Sequence, residues 1–509
     1  MISYKKSSVL NVFTNYISII SSMFVGFLLP PLAFKYLNAE NYGIYSLLTA
    51  ILSYIIISGF GIDTATSVLI AKEENFENKK KIFTSSLKIA LFISVILVLI
   101  ILLFFYFKVD LSFLLGKINL ENKLIASKSV FVYLFLGALS LIFSVISGAL
   151  SGFQKQHLDN IIKSLLSISP LFSIAIILVF NSNFYTFILL NALFFIAINL
   201  IRVLLIIFVL NQRLISIFKF NIKTLVNIDF SLLKKIFSSG IGFWLLGIGT
   251  FIITSFDNFI IAFVLTTDQV GKYSTVYRVI NVLFTLVMFA NSSQMPIIGR
   301  KISENNFKSI FDTYKKMLNI TLLSSLVIYS LIIVFGPVFF TSWIGSKNYI
   351  GDYPVYLLSL YGILYCYTNI NIVFASAFNI AKKLSKFTLF EAIIHLILAF
   401  TLSHLFGVLG LVLGAIISHI ITSFWGSYYV LKKHSVYEFN NIKFYFKTNK
   451  ILLFMIGTLL YFLIMEYFKF NITYLNYLIF PLLFFIFSKE FKVFIFDLKE
   501  ILNSFFKKA

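Results

Sequence analysis

Charge is what this sequence has least of: 12% of its 509 residues are Asp, Glu, Lys or Arg, about half the share of an ordinary soluble chain. So few charges cannot cover a globular surface, and a soluble fold is excluded. Cysteine is scarcer still, with Cys366 alone in an apolar stretch. That removes disulfides within the chain and any Cys-based metal site, and Cys366 reads as a small buried or lipid-facing side chain. The signatures of soluble catalysis are also missing: there is no phosphate-binding Gly-x-x-x-x-Gly-Lys loop, no zinc spacing and no nucleophile elbow. These absences argue against an enzyme, call for no cofactor, and leave transport driven by a gradient or by a separate partner.

What the chain has instead is apolar length. Hydrophobic residues make up 59% and the mean hydropathy is +0.95. Apolar runs of about 18 residues or more recur between short polar stretches, the pattern of helices that cross a bilayer. The expected spans are Val9–Phe34, Tyr42–Ala71, Ile82–Phe107, Leu124–Ser151, Ile161–Phe180, Phe184–Leu210, Ile236–Leu265 and Tyr273–Gly299. Six more follow: Met317–Phe335, Val355–Phe378, Phe387–Leu405, Gly407–Leu431, Ile451–Phe468 and Tyr474–Ser488. Lys5 and Lys6 precede the first run in the manner of a secretion signal. That run is too long for a signal core of about 7 to 15 residues and no small-residue cleavage site follows, so it is read as a retained span.

The formal charge of +22 invites a nucleic-acid reading, but its placement argues otherwise. One alternate set of loops comprises the N-terminus, Lys72–Lys81, Phe153–Lys163, Asn211–Lys235, Arg300–Lys316, Asn379–Lys386, Lys432–Lys450 and the tail. It carries about 31 basic residues against about 7 in the other set, which marks its side as cytoplasmic. Both termini are expected there. The positive charge is spread over many segments and forms no single nucleic-acid-binding face.

An internal repeat is visible. Glu40-Asn41-Tyr42-Gly43-Ile44-Tyr45-Ser46 and Asp268-Gln269-Val270-Gly271-Lys272-Tyr273-Ser274 share acid-x-x-Gly-x-Tyr-Ser, each between the first two spans of a block. The same offset lays Ala71-Lys72 on Gly299-Arg300. Both copies enter the membrane in the same orientation, as parallel repeats do. The expected fold class is an all-α polytopic membrane protein with about 14 transmembrane helices. Two parallel six-helix lobes, residues 1–210 and 211–431, surround a central cavity, and residues 432–509 add a loop, a helix pair and a basic tail.

Ionisable groups at membrane depth are costly, so the few present are informative. Asp257 and Arg278 flank the Thr266–Lys272 hairpin, each about ten residues from its centre and hence at similar depth. They read either as a substrate or proton site or as an ion pair holding the hairpin. Asp63 follows Gly59-Phe60-Gly61, where two glycines weaken a helix and let it bend. A bend beside a carboxylate suits gating or cation coupling; the alternative is an interfacial carboxylate. Arg202 lies within the sixth span, suited to bidentate phosphate binding or to snorkelling. Lys88 and Lys128 stand near span ends, where their stems reach water. Glu391 and His395 are four residues apart on one helix face, a spacing suited to a proton relay or to an interface Glu beside a core His. His404 and His419 have no acid partner evident in the sequence.

Asp257-Asn258-Phe259-Ile260-Ile261, Val270-Gly271-Lys272-Tyr273-Ser274 and Tyr277-Arg278 resemble the Wzx-type polysaccharide flippases, the polysaccharide-biosynthesis branch of the multidrug/oligosaccharidyl-lipid/polysaccharide exporter superfamily. Gly59–Gly61 and Asn38-Ala39-Glu40-Asn41-Tyr42-Gly43-Ile44-Tyr45 are similar as well, and the resemblance runs to about Leu431. It implies alternating access and translocation of undecaprenyl-pyrophosphate-linked oligosaccharide, such as O-antigen or capsule repeat units, across the bacterial inner membrane. It further implies a coupling ion, H+ or Na+, and possible polymerase or ligase partners. Asp257 and Arg278 match the motif by position; Lys88, Lys128 and Arg202 are possible cavity cations. Family members commonly have twelve helices, so the appended pair leaves room for a lipid II flippase relationship. A drug exporter of the same superfamily and a membrane glycosyltransferase, polymerase or ligase are the competing readings. The outer segments Lys108–Lys123 and Gly336–Pro354 are too short to house a catalytic domain.

Overall fold

Large apolar side chains lie on the outside of this protein as well as within it. Phe105, Val179 and Phe208 are 66%, 77% and 80% exposed, an arrangement that only a hydrocarbon surround makes favourable. The computed structural model describes residues 2–210, 230–378 and 380–434. Most of the expected Asn211–Lys235 loop and the spans expected at Ile451–Phe468 and Tyr474–Ser488 lie outside the described residues. Among the described residues the fold is helical without strands. Ten helices there are long and apolar enough to cross a membrane, or eleven when the bent pair Gly247–Ser255 and Asp257–Val264 counts as one span.

The chain forms two compact units, Met1–Ser274 and Thr275–Ala509. In the first, α1 (Ile2–Tyr36) packs along α6 (Gln156–Val179). Their contact is polar near the end where Asn160 Nδ2 donates to Asn11 O at 3.2 Å and to Thr14 Oγ1 at 3.1 Å. Between them come α2 (Ala39–Ile57), α3 (Ile62–Lys72), α4 (Phe76–Tyr106) and α5 (Lys123–Gly152). After α6 come α7 (Phe184–Val209), α8 (Phe230–Ser255), the short α9 (Asp257–Val264) and the start of α10 (Thr267–Ser293). Asparagine sets several helix starts: Asn38, Asn75 and Asn183 each accept from a backbone N–H of the first turn. Such a cap satisfies a donor that would otherwise be orphaned in a medium with little water.

The second expected span is broken where Gly59 and Gly61 stand. Ser58–Gly61 leaves the helix, with Gly61 at φ 67° and Phe60 at φ 56°. The break is held on both sides by close backbone approach. A Cβ at Gly61 would lie 2.7 Å from Gly240 O in α8, and one at Gly240 would lie 2.7 Å from Phe60 O. On the other side a Cβ at Gly148 of α5 would run into the Asp63 carbonyl. Small residues thus let α3 nest between α5 and α8, as membrane helices that lack a hydrophobic drive to associate require. These contacts, and those of the repeat motif described below, make α8, α9 and the start of α10 part of the first compact unit. The sequence repeat, in contrast, begins its second copy near residue 211.

In the second unit the rest of α10, α11 (Met295–Ser303), α12 (Phe307–Ile344) and α13 (Asp352–Ala377) precede α14 (Ser385–His419) and α15 (Trp425–His434). α13 is the most enclosed, with most of its residues buried. Cys366 is buried on it, its Sγ 3.7 Å from Phe284 O. α14 folds at Gly407, whose φ of 60° is not helical, so that it consists of two helical legs. Beyond that turn a Cβ at Gly410 would run into Leu402 O, and one at Gly414 would lie 2.7 Å from Ala399 N. The two legs therefore run back along each other as a glycine-tight hairpin. They correspond to the expected spans Phe387–Leu405 and Gly407–Leu431. A wide π-type turn, Ile420–Phe424, separates α14 from α15.

Candidate functional site

The repeat motif brings its own two copies together. A Cβ on Gly43 would run into the carbonyl of Thr267, and one on Gly271 would run into that of Ala39; the two glycines also face each other. Ser46 Oγ and Ser274 Oγ, 228 residues apart, lie 3.1 Å from each other. Equivalent residues of the repeat therefore meet in pairs, the self-complementary contact of a local two-fold axis. A loop fastens the same end. Lys117 Nζ donates to Val264 O at 2.7 Å, and Thr267 Oγ1 donates to Lys117 O at 2.9 Å. Glu40 accepts from Asn119 N at 2.8 Å, from Asn119 Nδ2 at 2.6 Å and from Asn122 Nδ2 at 3.0 Å. Nearby, Asp110 accepts from Ser112, and that bond, with smaller help from Lys123, holds its carboxyl at about 2, below the usual carboxylate range.

Asp257 opens α9 and is 4% exposed. It accepts from the Tyr273 hydroxyl at 2.6 Å, so the acid expected to face Arg278 is hydrogen-bonded to the tyrosine of the repeat motif. Arg278 is half-buried on α10. Lys88 is half-buried on α4 and Lys128 is exposed on α5. Asp63 is half-buried as the second residue of α3, where the positive end of the helix dipole favours a carboxylate.

Arg202 is buried, and its guanidinium meets a partner absent from the sequence reading: Nε lies 3.0 Å from Asp159 Oδ1, with both side chains inaccessible. Asp159 Oδ2 also accepts from Ser147 Oγ at 2.7 Å and pairs with Lys163 Nζ at 2.9 Å. Asn199 completes the set by accepting from Arg202. The Nε to Oδ1 approach is close enough for an ion pair but not aligned as a hydrogen bond, so Coulomb attraction carries it. Sequence reasoning missed Asp159 because it placed Phe153–Lys163 in a loop, whereas α6 starts at Gln156. The acid thereby sits in the helix's first turn, aimed at α7.

In the second unit Glu391 and His395 are 2% and 0% exposed on the first leg of α14. The carboxylate's hydrogen bond crosses the hairpin: His419 Nδ1 lies 2.7 Å from Glu391 Oε1. The other ring nitrogen, Nε2, is 2.9 Å from Thr368 Oγ1 on α13, and the Thr368 hydroxyl is also 3.1 Å from Leu364 O. Local spacing favours His395 on the same helix; the hairpin brings His419 across from Glu391. The signal available in the sequence was the glycine series Gly407, Gly410 and Gly414, which marks two legs in close contact. One turn deeper along α13, Asn371 accepts from Tyr314 at 2.8 Å and donates to Ser427 at 2.9 Å. Among the described residues no group of three or more His, Cys, Asp or Glu is arranged to hold a metal ion.

These features are a helix break, a glycine crossing and two buried clusters of ionisable side chains, one in each unit. Comparison with known proteins gives them a setting. The polysaccharide biosynthesis protein family matches residues 8–302. No curated protein matches the sequence. Among solved structures, the lipid II flippase MurJ in an inward closed conformation aligns with 96% of this chain and 100% of its own, at 17% identity and a TM-score of 0.69. An inward-facing multidrug resistance MATE family transporter of the MOP superfamily aligns with 83% of this chain and 96% of its own, at 17% identity and a TM-score of 0.62. At such identities the likeness is one of fold.

Proposed function

Because the chain belongs to the polysaccharide biosynthesis protein family, we propose that it is a flippase. It carries undecaprenyl-pyrophosphate-linked oligosaccharide from the inner to the outer leaflet of the bacterial inner membrane. The observation that carries this reading is the family match across residues 8–302 on a fold shared with a lipid II flippase and a MATE transporter. Membership of a polysaccharide-biosynthesis family gives a protein of this fold a lipid-linked sugar to move.

The moving bodies are the two repeat blocks, residues 1–210 and 211–431, with both termini on the cytoplasmic side. In this assignment the Gly43/Gly271 crossing closes the outer end, and the break at Ser58–Gly61 lets α2 and α3 move as separate rods. Outward opening then requires the paired glycines to part, and their lack of side chains lets them close again without rearranging a packed interface. Arg278, half-buried on α10, is the cation assigned to the pyrophosphate. Asp257 shares the motif with Arg278 and, through Tyr273, links that region to the crossing. Asp63 at the broken helix is the assigned gating carboxylate. Arg202 is assigned to holding α6 against α7 through Asp159.

Deletion of the gene in its host is expected to leave lipid-linked repeat units on the inner leaflet. Normal surface polysaccharide in the deletion strain overturns the reading. Likeness to a lipid II flippase over 96% of the chain supports a second reading, in which the cargo is the cell-wall precursor. Rescue of a strain depleted of its own lipid II flippase separates the two: growth favours the cell-wall precursor, lysis the surface polysaccharide.

A further inference from the structure

The Glu391–His419 pair is a buried acid and base with no task in the proposal above. Both side chains are at most 3% exposed, and each is held from more than one element. His419 closes the second leg of α14, and the π turn Ile420–Phe424 starts at the next residue. Glu391 receives His419 Nδ1 from across the hairpin and a second hydrogen bond from Ser423 within that turn. Carboxylate and π turn are thus joined twice, once through the imidazole and once directly. π turns inserted in α-helices occur often at functional sites, since the extra residue gives the helix a second way to close its ladder.

A proton on each ring nitrogen sets the hydrogen-bond directions around His419. With His419 as imidazolium, Nδ1–H donates to the Glu391 carboxylate and Nε2–H donates to Thr368 Oγ1. The Thr368 hydroxyl then donates to Leu364 O at 3.1 Å. Both ring nitrogens and the Thr368 hydroxyl are then satisfied, and the charges of Glu391 and His419 cancel. When the proton leaves Nε2 for water, the Thr368 hydroxyl must rotate to donate to the bare nitrogen and give up Leu364 O. Glu391 keeps its bond to Nδ1–H but becomes an uncompensated anion in an apolar interior, a state that costs several kcal/mol unless water or a cation reaches it. The titratable groups facing the pair are Tyr361 and Tyr365 from α13, with rings 5.5 and 6.0 Å from the imidazole, and His395 one turn along the Glu391 leg. On the neighbouring 3-10 turn Lys383 is exposed. Imidazole is the side chain whose charge changes in the physiological range.

We propose that His419 and Glu391, with Thr368, form a proton-binding site that couples proton release to rearrangement of the π turn after His419, and so drives the transport cycle. The inference rests on the flippase reading for its consequence, though not for the proton chemistry. The Oε1 atom that faces the hairpin already accepts from His419, which favours a proton over a sodium ion as the coupling species.

Two measurements test it. Histidine labelled with 15N in the full chain, in lipid nanodiscs, reports the state of both ring nitrogens from about pH 5 to pH 9, with His419→Gln assigning the signal among five histidines. His419 is expected to titrate in one step, and Glu391→Gln and Thr368→Val to move its midpoint. A His419 signal that keeps one protonation state across the range overturns the proposal. In proteoliposomes loaded with undecaprenyl-pyrophosphate-linked oligosaccharide, a pH gradient is expected to speed export about fivefold in the unaltered protein and not in His419→Gln. Thr368→Val, which leaves both charged partners in place, is expected to keep the response with a displaced pH midpoint. A response to a sodium gradient alone, or a His419→Gln protein as responsive as the original, overturns the proposal. Titration of His419 without any export of the lipid-linked sugar upholds the proton site and counts against the flippase reading.

Discussion

In the first unit a buried carboxylate, Asp159, meets a guanidinium from the next helix; in the second, Glu391 meets an imidazole across a hairpin. The arrangements are alike in burial, in distance and in joining two spans. They differ in the cation, and that difference separates a fixture from a switch. A guanidinium stays charged at every pH a cell meets, so the Asp159–Arg202 pair is permanent. An imidazole is charged only while it holds a second proton, so the Glu391–His419 pair has two states. Their surroundings match: Asp159 gathers Arg202, Lys163 and Ser147, whereas Glu391 shares its hydrogen bonds with a π turn.

The contact that unites the repeat copies, within the first unit, offers the largest test of how the repeat blocks work. Ser46 and Ser274 are 3.1 Å apart at their hydroxyls, so S46C/S274C in a Cys366→Ala background is placed to form a disulfide. Oxidation is expected to abolish export and reduction to restore it. Full export in the oxidised, cross-linked protein removes the crossing from the cycle.

Breaking the fixture comes next. Arg202→Ala leaves Asp159 with Lys163 and Ser147 alone and is expected to cost up to about 3 kcal/mol, read as loss of folded protein or a lower melting temperature in detergent. The double variant Asp159→Leu/Arg202→Met removes both charges and is expected to regain most of that loss. If the single variant melts with the original protein, the fixture is not one. Gly43→Leu or Gly271→Leu overpacks the crossing by about 1–3 kcal/mol, and is expected to slow export while leaving α2 helical by circular dichroism.

Much of this fold is legible in the sequence because membrane spans announce themselves by length and apolarity. The break at Gly59–Gly61, the hairpin at Gly407 and the repeat pairing of Gly43 with Gly271 all come from residues whose conformational freedom has a local cause. The charged clusters were harder to read, since their partners lie on other helices. Arg202 stood out by its depth, but Asp159 was hidden by a helix start placed five residues late, at Ile161 in place of Gln156. Glu391 was recognised together with His395, which acts on it from one turn along the same leg, but His419 was missed because sequence spacing sees one helix at a time. Hairpin packing across Gly410 and Gly414 brought His419 within 2.7 Å of it.

The smallest effect belongs to a carboxylate that resembles neither cluster. Asp110 is half-exposed, and its bond to Ser112 lowers its pKa from 3.8 to about 2. A depressed folded-state value means its contribution is present above about pH 4 and is lost as the pH falls through about 2. Because Asp110 is half-exposed, solvent screening leaves little of that shift as stability, and Asp110→Asn is expected to change the melting temperature at pH 7 by an amount equivalent to less than about 0.5 kcal/mol. A larger shift places Asp110 in a buried network like that of Asp159.

Leaflet exchange tests the central claim most directly. The purified chain, reconstituted in liposomes with undecaprenyl-pyrophosphate-linked oligosaccharide, is followed by the fraction of sugar that an added, membrane-impermeant glycosidase can cleave. Cleavage continuing beyond the outer-leaflet share until nearly all the sugar is consumed is the result expected of a flippase. Cleavage that stops at about half, as in protein-free liposomes, contradicts it.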